Sequence, residues 1–78
     1  MATSEDMVRG VVVQQLGVSP AQVTLTARLV EDLGVSTLDM VAIIMAVEEL
    51  AALTIPDADM QSFKTFGDIV TYVDANTV

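Results

Sequence analysis

Two adjacent hydroxyls, Ser36 and Thr37, sit in the stretch Glu31-Asp32-Leu33-Gly34-Val35-Ser36-Thr37-Leu38-Asp39, which runs straight into Met40–Glu49. Gly34 has no Cβ and lets the chain turn sharply before a helix. Ser36 with Asp39 three residues on is the S/T-x-x-D form of a capping box. Ser36 is therefore expected as an N-cap, its oxygen occupied by a backbone amide two or three residues on. Thr37 then falls at the first helical position. Its hydroxyl stands at the positive end of a helix macrodipole, a place suited to carrying a phosphate.

The rest of the chain offers little competing chemistry. It holds no His and no Cys, so no side chain has an ordinary pKa near neutrality, and neither a disulfide nor a thiolate metal site can form. Acid–base catalysis would need a strongly shifted carboxylate in a cleft, which a domain this small has little room for. Glu31-Asp32 and Glu48-Glu49 read as solvated surface. Asp57 and Asp59 lack the glycine and later glutamate of an EF-hand loop, which leaves at most weak divalent-cation binding. The chain is not expected to be an enzyme, and no specific metal site is expected.

Eleven acidic residues against three basic ones give 78 residues a net charge of −8. That balance repels nucleic acid and attracts basic patches on partner proteins. More than half of the residues are apolar, yet there are only two Phe, one Tyr and no Trp, so the core must be aliphatic with five Met filling gaps. The longest apolar run, Met40–Val47, is well short of the ~18 residues that span a bilayer. The N-terminus is acidic and lacks the basic region of a signal peptide, so a cytoplasmic location is expected. One domain, 1–78, and a monomer are expected from this size.

The hydroxyls need helices to position them. Thr3 or Ser4 can cap a first helix in which Val8, Val11, Val12 and Leu16 form one stripe, stopped by Gly17. Val18–Val35 is a long connection holding one helical turn at Pro20–Val23, with Val23, Leu25, Leu29, Val30 and Leu33 pinning it to the helices. A second helix runs from Thr37 to Leu50. Met40, Ile43, Val47 and Leu50 share one face, expected as a core stripe; Leu38, Val41, Ala42 and Met45 share another, with Glu48 and Glu49 one turn on. That second face is either buried or an exposed docking surface. Asp57 is expected to cap a short third helix to Gln61. Thr65 and Asp68 repeat the capping-box spacing and open a fourth helix over Phe66, Ile69, Val70 and Val73, and Asn76-Thr77-Val78 is expected to fray. The fold class is all-α, a four-helix bundle with a long loop between its first two helices and a short third helix.

Glu31-Asp32-Leu33-Gly34, Thr37-Leu38-Asp39, Met45-Ala46-Val47-Glu48-Glu49 and Ile55-Pro56-Asp57 together resemble the acyl carrier proteins of type II fatty-acid synthesis, from about Glu5 to Val73. The family has Asp-Ser-Leu where this chain has Ser36-Thr37-Leu38, and that serine bears a 4′-phosphopantetheine arm. The resemblance therefore implies 4′-phosphopantetheine as cofactor and Thr37 as its attachment position. It implies acyl groups held as thioesters for fatty-acid, polyketide or specialised lipid synthesis. The implied partners are a phosphopantetheinyl transferase and acyl-processing enzymes with basic docking patches. The family's docking acids fall on Asp39, Glu48 and Glu49, around Leu38, Val41 and Met45; Ala42 stands where a further acid is usual.

Three readings of Thr37 stay open at this level. Its hydroxyl is modified, slowly, because the extra methyl crowds the attack; or the position is inert and the domain is an unmodified interaction module acting through the acidic second helix; or threonine was put there to keep the protein unmodified. Ser36 is a poor substitute nucleophile, since its oxygen caps the helix.

Overall fold

A computed structural model describes residues 3–76. Among them four α-helices follow in order: α1 (Ser4–Leu16), α2 (Thr37–Ala51), α3 (Asp57–Ser62) and α4 (Phe66–Asn76), with a 3-10 turn at Pro20–Gln22 between α1 and α2. The arrangement is the expected all-α bundle, with α1 packed on both α2 and α4.

Local chemistry sets the helix ends. Thr3 caps α1 in a full capping box with Asp6, and Gly17 closes it at φ 71°, where its N–H reaches the Val13 carbonyl. Ser36 and Asp39 form the same box at α2. At α4 the Asp68 N–H donates to Thr65 Oγ1 at 3.2 Å while the Thr65 N–H donates to Asp68 Oδ2 at 3.0 Å. Two end assignments need correction. Asp57 does not cap α3: Pro56 takes the cap position, no side chain caps that helix, and Asp57 is its first residue. Asn76, expected in the frayed tail, is the last residue of α4, and its Nδ2 donates to the Tyr72 carbonyl at 2.8 Å. Thr77 and Val78 lie outside the described residues.

Among the described residues seventeen apolar side chains form the core, with Val8, Val12, Ile43, Val47, Phe66, Ile69 and Val73 fully covered. Each such side chain contributes roughly 1.5–3 kcal/mol through removal from water. On α2 the covered stripe is Ile43, Ile44 and Val47, with Met40 half-buried. Leu50, expected inside, is 61% exposed. α1 packs along α2, and the inward stripe ends at Ala51 instead, which packs on the core.

The long connection is fastened by backbone. Leu29 donates to the Lys64 carbonyl, Phe66 to that of Ala27 and Gly67 to that of Leu25, each at 2.9 Å. The loop thus runs as a strap across the α3–α4 junction, and Arg28 and Thr65 pair there as an isolated antiparallel bridge. Val23, Ala27, Leu29, Leu33 and Val35 turn inward. Leu25 and Val30, expected to pin the loop, are exposed instead: each stands in a turn, Leu25 in the one closed by the Ala27 N–H to the Thr24 carbonyl and Val30 in the one closed by the Gly34 N–H to the Val30 carbonyl. Arg9 holds the first half of the loop: its Nε donates to the Val23 carbonyl at 2.9 Å, and its guanidinium lies 5.2 Å from the Phe66 ring centroid.

Candidate functional site at the start of α2

The strap delivers the chain to Ser36 through Gly34, which adopts φ 70°, a left-handed conformation suited to glycine. Val35, buried and bonded through its N–H to the Leu29 carbonyl at 2.9 Å, fixes the residue before the cap. Ser36 Oγ then accepts the Asp39 N–H at 3.1 Å, and Asp39 Oδ2 accepts the Ser36 N–H at 3.1 Å. The Ser36 amide, aided by its hydroxyl, holds the Asp39 carboxyl below the usual carboxylate range.

The neighbouring hydroxyl has a different environment. Thr37 is the first residue of α2 and is exposed, and its hydroxyl has no hydrogen-bond partner among the described residues. Beside it opens a groove of about 580 Å³ lined by Val30, Val35, Met40, Met60 and Phe63, with Ser36, Thr37 and Gln61 at its polar edge. Sequence reasoning missed this groove. Its walls come from the strap, α2 and the α3–α4 segment, so no single stretch carries a local signal for it.

Down α2, Leu38 is 81% exposed, Met45 61% and Val41 40%, an apolar stripe open to solvent. Glu49 is exposed beside it. Asp39 is half-buried and committed to the cap, with Gln15 Nε2 reaching its Oδ1 at 3.5 Å. Glu48 is half-buried too, and its Oε2 accepts the Ile55 N–H at 2.7 Å. Of the three acids expected together on this face, Glu49 alone has no side-chain bond inside the described residues.

The sequence pattern of the phosphopantetheine attachment site family matches residues 6–73. The chain belongs to this acyl carrier protein family. It is 45% identical over 76 residues to an acyl carrier protein of Helicobacter acinonychis, covering 97% of this chain and 96% of that one. It is 42% identical over 71 residues to an acyl carrier protein of Wolinella succinogenes (91% and 93% covered), and 43% identical over 74 residues to one of Campylobacter concisus (95% of each). The prosthetic group of the family is 4′-phosphopantetheine. It supplies the thiol for a thioester, which this cysteine-free chain lacks.

The residues present fit such a group. A free hydroxyl lies at the positive end of α2, where a phosphate is favoured, and an apolar groove adjoins it. Among the described residues no helix is long and apolar enough to cross a membrane, and no cluster of three or more His, Cys, Asp or Glu is arranged to hold a metal ion.

Proposed function

We propose that residues 1–78 act as one carrier domain, holding acyl groups as thioesters on a 4′-phosphopantetheine arm joined to Thr37 Oγ1. The observation that carries this reading is the division of labour between two adjacent hydroxyls: Ser36 is committed to its cap while Thr37 is exposed and has no partner among the described residues. Ser36 fixes the helix start, so the Thr37 hydroxyl is held outward at a fixed place. A transferase would use that hydroxyl to displace 3′,5′-adenosine bisphosphate from coenzyme A and form the phosphodiester. The apolar groove at the same point suits the hydrocarbon end of an acyl group.

The partners that suit this surface are a phosphopantetheinyl transferase and acyl-processing enzymes with basic docking patches. Leu38, Val41 and Met45 supply the apolar contact, and Asp39, Glu48 and Glu49 the negative field that steers encounter. A monomer in the cytoplasm, catalysing no reaction of its own, is the form in which we expect it to act.

The methyl of Thr37 favours a second reading, an unmodified interaction module using the same face of α2. Misplacing a reacting atom by ~1 Å can cost about 100-fold in rate, so the methyl alone could slow loading severely. Intact-mass measurement with coenzyme A and a broad-specificity phosphopantetheinyl transferase separates the two. The parent should gain the arm slowly, Thr37→Ser faster, and Ser36→Asp with Thr37→Ser faster still. Thr37→Ala should gain nothing and keep the fold. If Thr37→Ser does not load, the interaction-module reading takes over.

A further inference from the structure

We infer that Phe63 is the stop that sets how long an acyl chain the groove beside Thr37 accepts, an inference that rests on the carrier reading above. Phe63 lines that groove and also a second cavity of about 390 Å³, lined otherwise by Ser62, Asp68, Thr71, Tyr72 and Ala75 on the outer face of α4. It is the residue the two spaces share. Its side chain is buried, and it terminates α3 as the C-cap, so its backbone is set by both α3 and the strap junction.

The ring is also braced from behind. Tyr72 meets it edge-on, with centroids 5.4 Å apart and planes at 70°, and the Tyr72 hydroxyl donates to Asp59 Oδ2 at 2.9 Å. Tyr72 is thereby tied to α3, the element that supplies Met60 to the groove wall. The two sides of the ring differ in character. Val30, Val35, Met40 and Met60 make the Thr37 side strongly apolar, whereas the far side is mixed, with Ser62, Asp68 and Thr71 set among Tyr72 and Ala75. A hydrocarbon chain entering at Thr37 gains stability with each methylene it buries until it meets the ring. Methylenes beyond that point stay in water and add none. Shortening the ring joins the two spaces and moves the stop outward.

The chain has no cysteine, so Thr37→Cys provides a single thiol to which n-alkyl chains can be attached by exchange with alkyl methanethiosulfonates. The series would run from hexyl to hexadecyl in two-carbon steps, with the thermal midpoint of each adduct compared with its own unalkylated form. No transferase is involved, so failure of enzymatic loading at Thr37 would leave this test intact. In the Phe63 background the midpoint should rise with length and then level off at a definite break. In Phe63→Leu, which keeps an apolar side chain in the core, the break should move at least one step longer, and in Phe63→Ala further. An unchanged break in Phe63→Leu, or a series with no break in the Phe63 background, would overturn the assignment.

Discussion

The Glu48 carboxylate accepts the backbone N–H of Ile55 at 2.7 Å, tying the last turns of α2 to the segment that leads into Pro56 and α3. Ile55 is buried, so without Glu48 its amide would lose a charge-assisted partner in a place water reaches poorly. Glu48 therefore has a job in the fold that its neighbour Glu49 does not share. Glu48→Ala should destabilise the domain by about 1–3 kcal/mol, while Glu48→Gln, which keeps an acceptor oxygen, should lose less. Glu49→Lys should leave the thermal midpoint nearly unchanged and slow association with a basic partner, most clearly at low salt, since such steering is screened beyond ~8 Å at physiological ionic strength. Thermal denaturation and stopped-flow association on the three variants would check this. Equal loss of stability from Glu48→Ala and Glu49→Lys would contradict it.

What the sequence shows best in this chain is whatever depends on near neighbours. The boxes at Ser36 and Thr65, a cap at Thr3 or Ser4 and the stop at Gly17 are legible because each is decided within four residues. The outward stripe of Leu38, Val41 and Met45 is legible as a face, though not which way that face points. Leu50, expected inside, lies outside because a helix wheel fixes angles and only packing against other elements, here α1, fixes which angle is covered. The groove, the Glu48–Ile55 tie and the strap all join residues from separate elements, and no spacing rule reaches that far. Pro56 displaces Asp57 as the α3 cap because its own fixed φ already suits that position.

Tyr72 is the chain's single tyrosine, so ultraviolet titration reports on one group. Its hydrogen bond to Asp59, together with partial desolvation and the nearby negative charge, raises its pKa above 10.0. A raised folded pKa means that the contribution to stability is fully present below the unfolded value and is lost as pH rises through the folded one. Native protein should therefore titrate at higher pH than urea-unfolded protein. Asp59→Asn should bring the native titration back toward the unfolded curve. Coincident native and unfolded curves would remove the Tyr72–Asp59 bond from the account.

Asp68 accepts the amides of Lys64 and Thr65 at 2.9 and 3.0 Å, which hold its carboxyl below the ordinary 3.8. A lowered folded pKa contributes stability above the unfolded value, lost as pH falls through the folded one. Asp68→Ala removes the carboxylate and one half of the box, and should cost about 1 kcal/mol near neutrality. The gap in thermal midpoint between parent and variant should shrink as pH falls below 3.8. A gap of constant size across that range would mean the charge contributes nothing.

Ala52 closes α2 in a left-handed conformation, φ 54° and ψ 46°, which costs an alanine roughly 1–2 kcal/mol that a glycine would avoid. Glycine also loses more chain entropy on folding, which offsets part of the gain. Ala52→Gly should stabilise by roughly 0.5–1 kcal/mol and raise the thermal midpoint by a few degrees. A fall in midpoint would show that the Ala52 methyl has a packing role.

Gly67 takes part in the strap that forms one wall of the groove, and its replacement tests how tightly that wall is set. In an ordinary helix Gly→Ala is favourable by about 0.8–1.0 kcal/mol, so propensity alone predicts a more stable protein. Here a Cβ on Gly67 would lie 2.6 Å from the Leu25 carbonyl oxygen, well inside contact, and the Gly67 N–H already bonds that oxygen at 2.9 Å. The obstacle is backbone and cannot rotate away. Either the strap lifts or α4 shifts, at a cost of about 1–3 kcal/mol typical of overpacking, and the steric term should win. Gly67→Ala should therefore lower the thermal midpoint. It should also speed amide hydrogen exchange at Leu29 and Phe66, the other two bonds of the strap, while α1 amides such as Val12 keep their protection relative to global stability. A raised midpoint with unchanged exchange at Leu29 and Phe66 would mean that the strap yields freely at Leu25, and that the groove wall is not fixed by this contact.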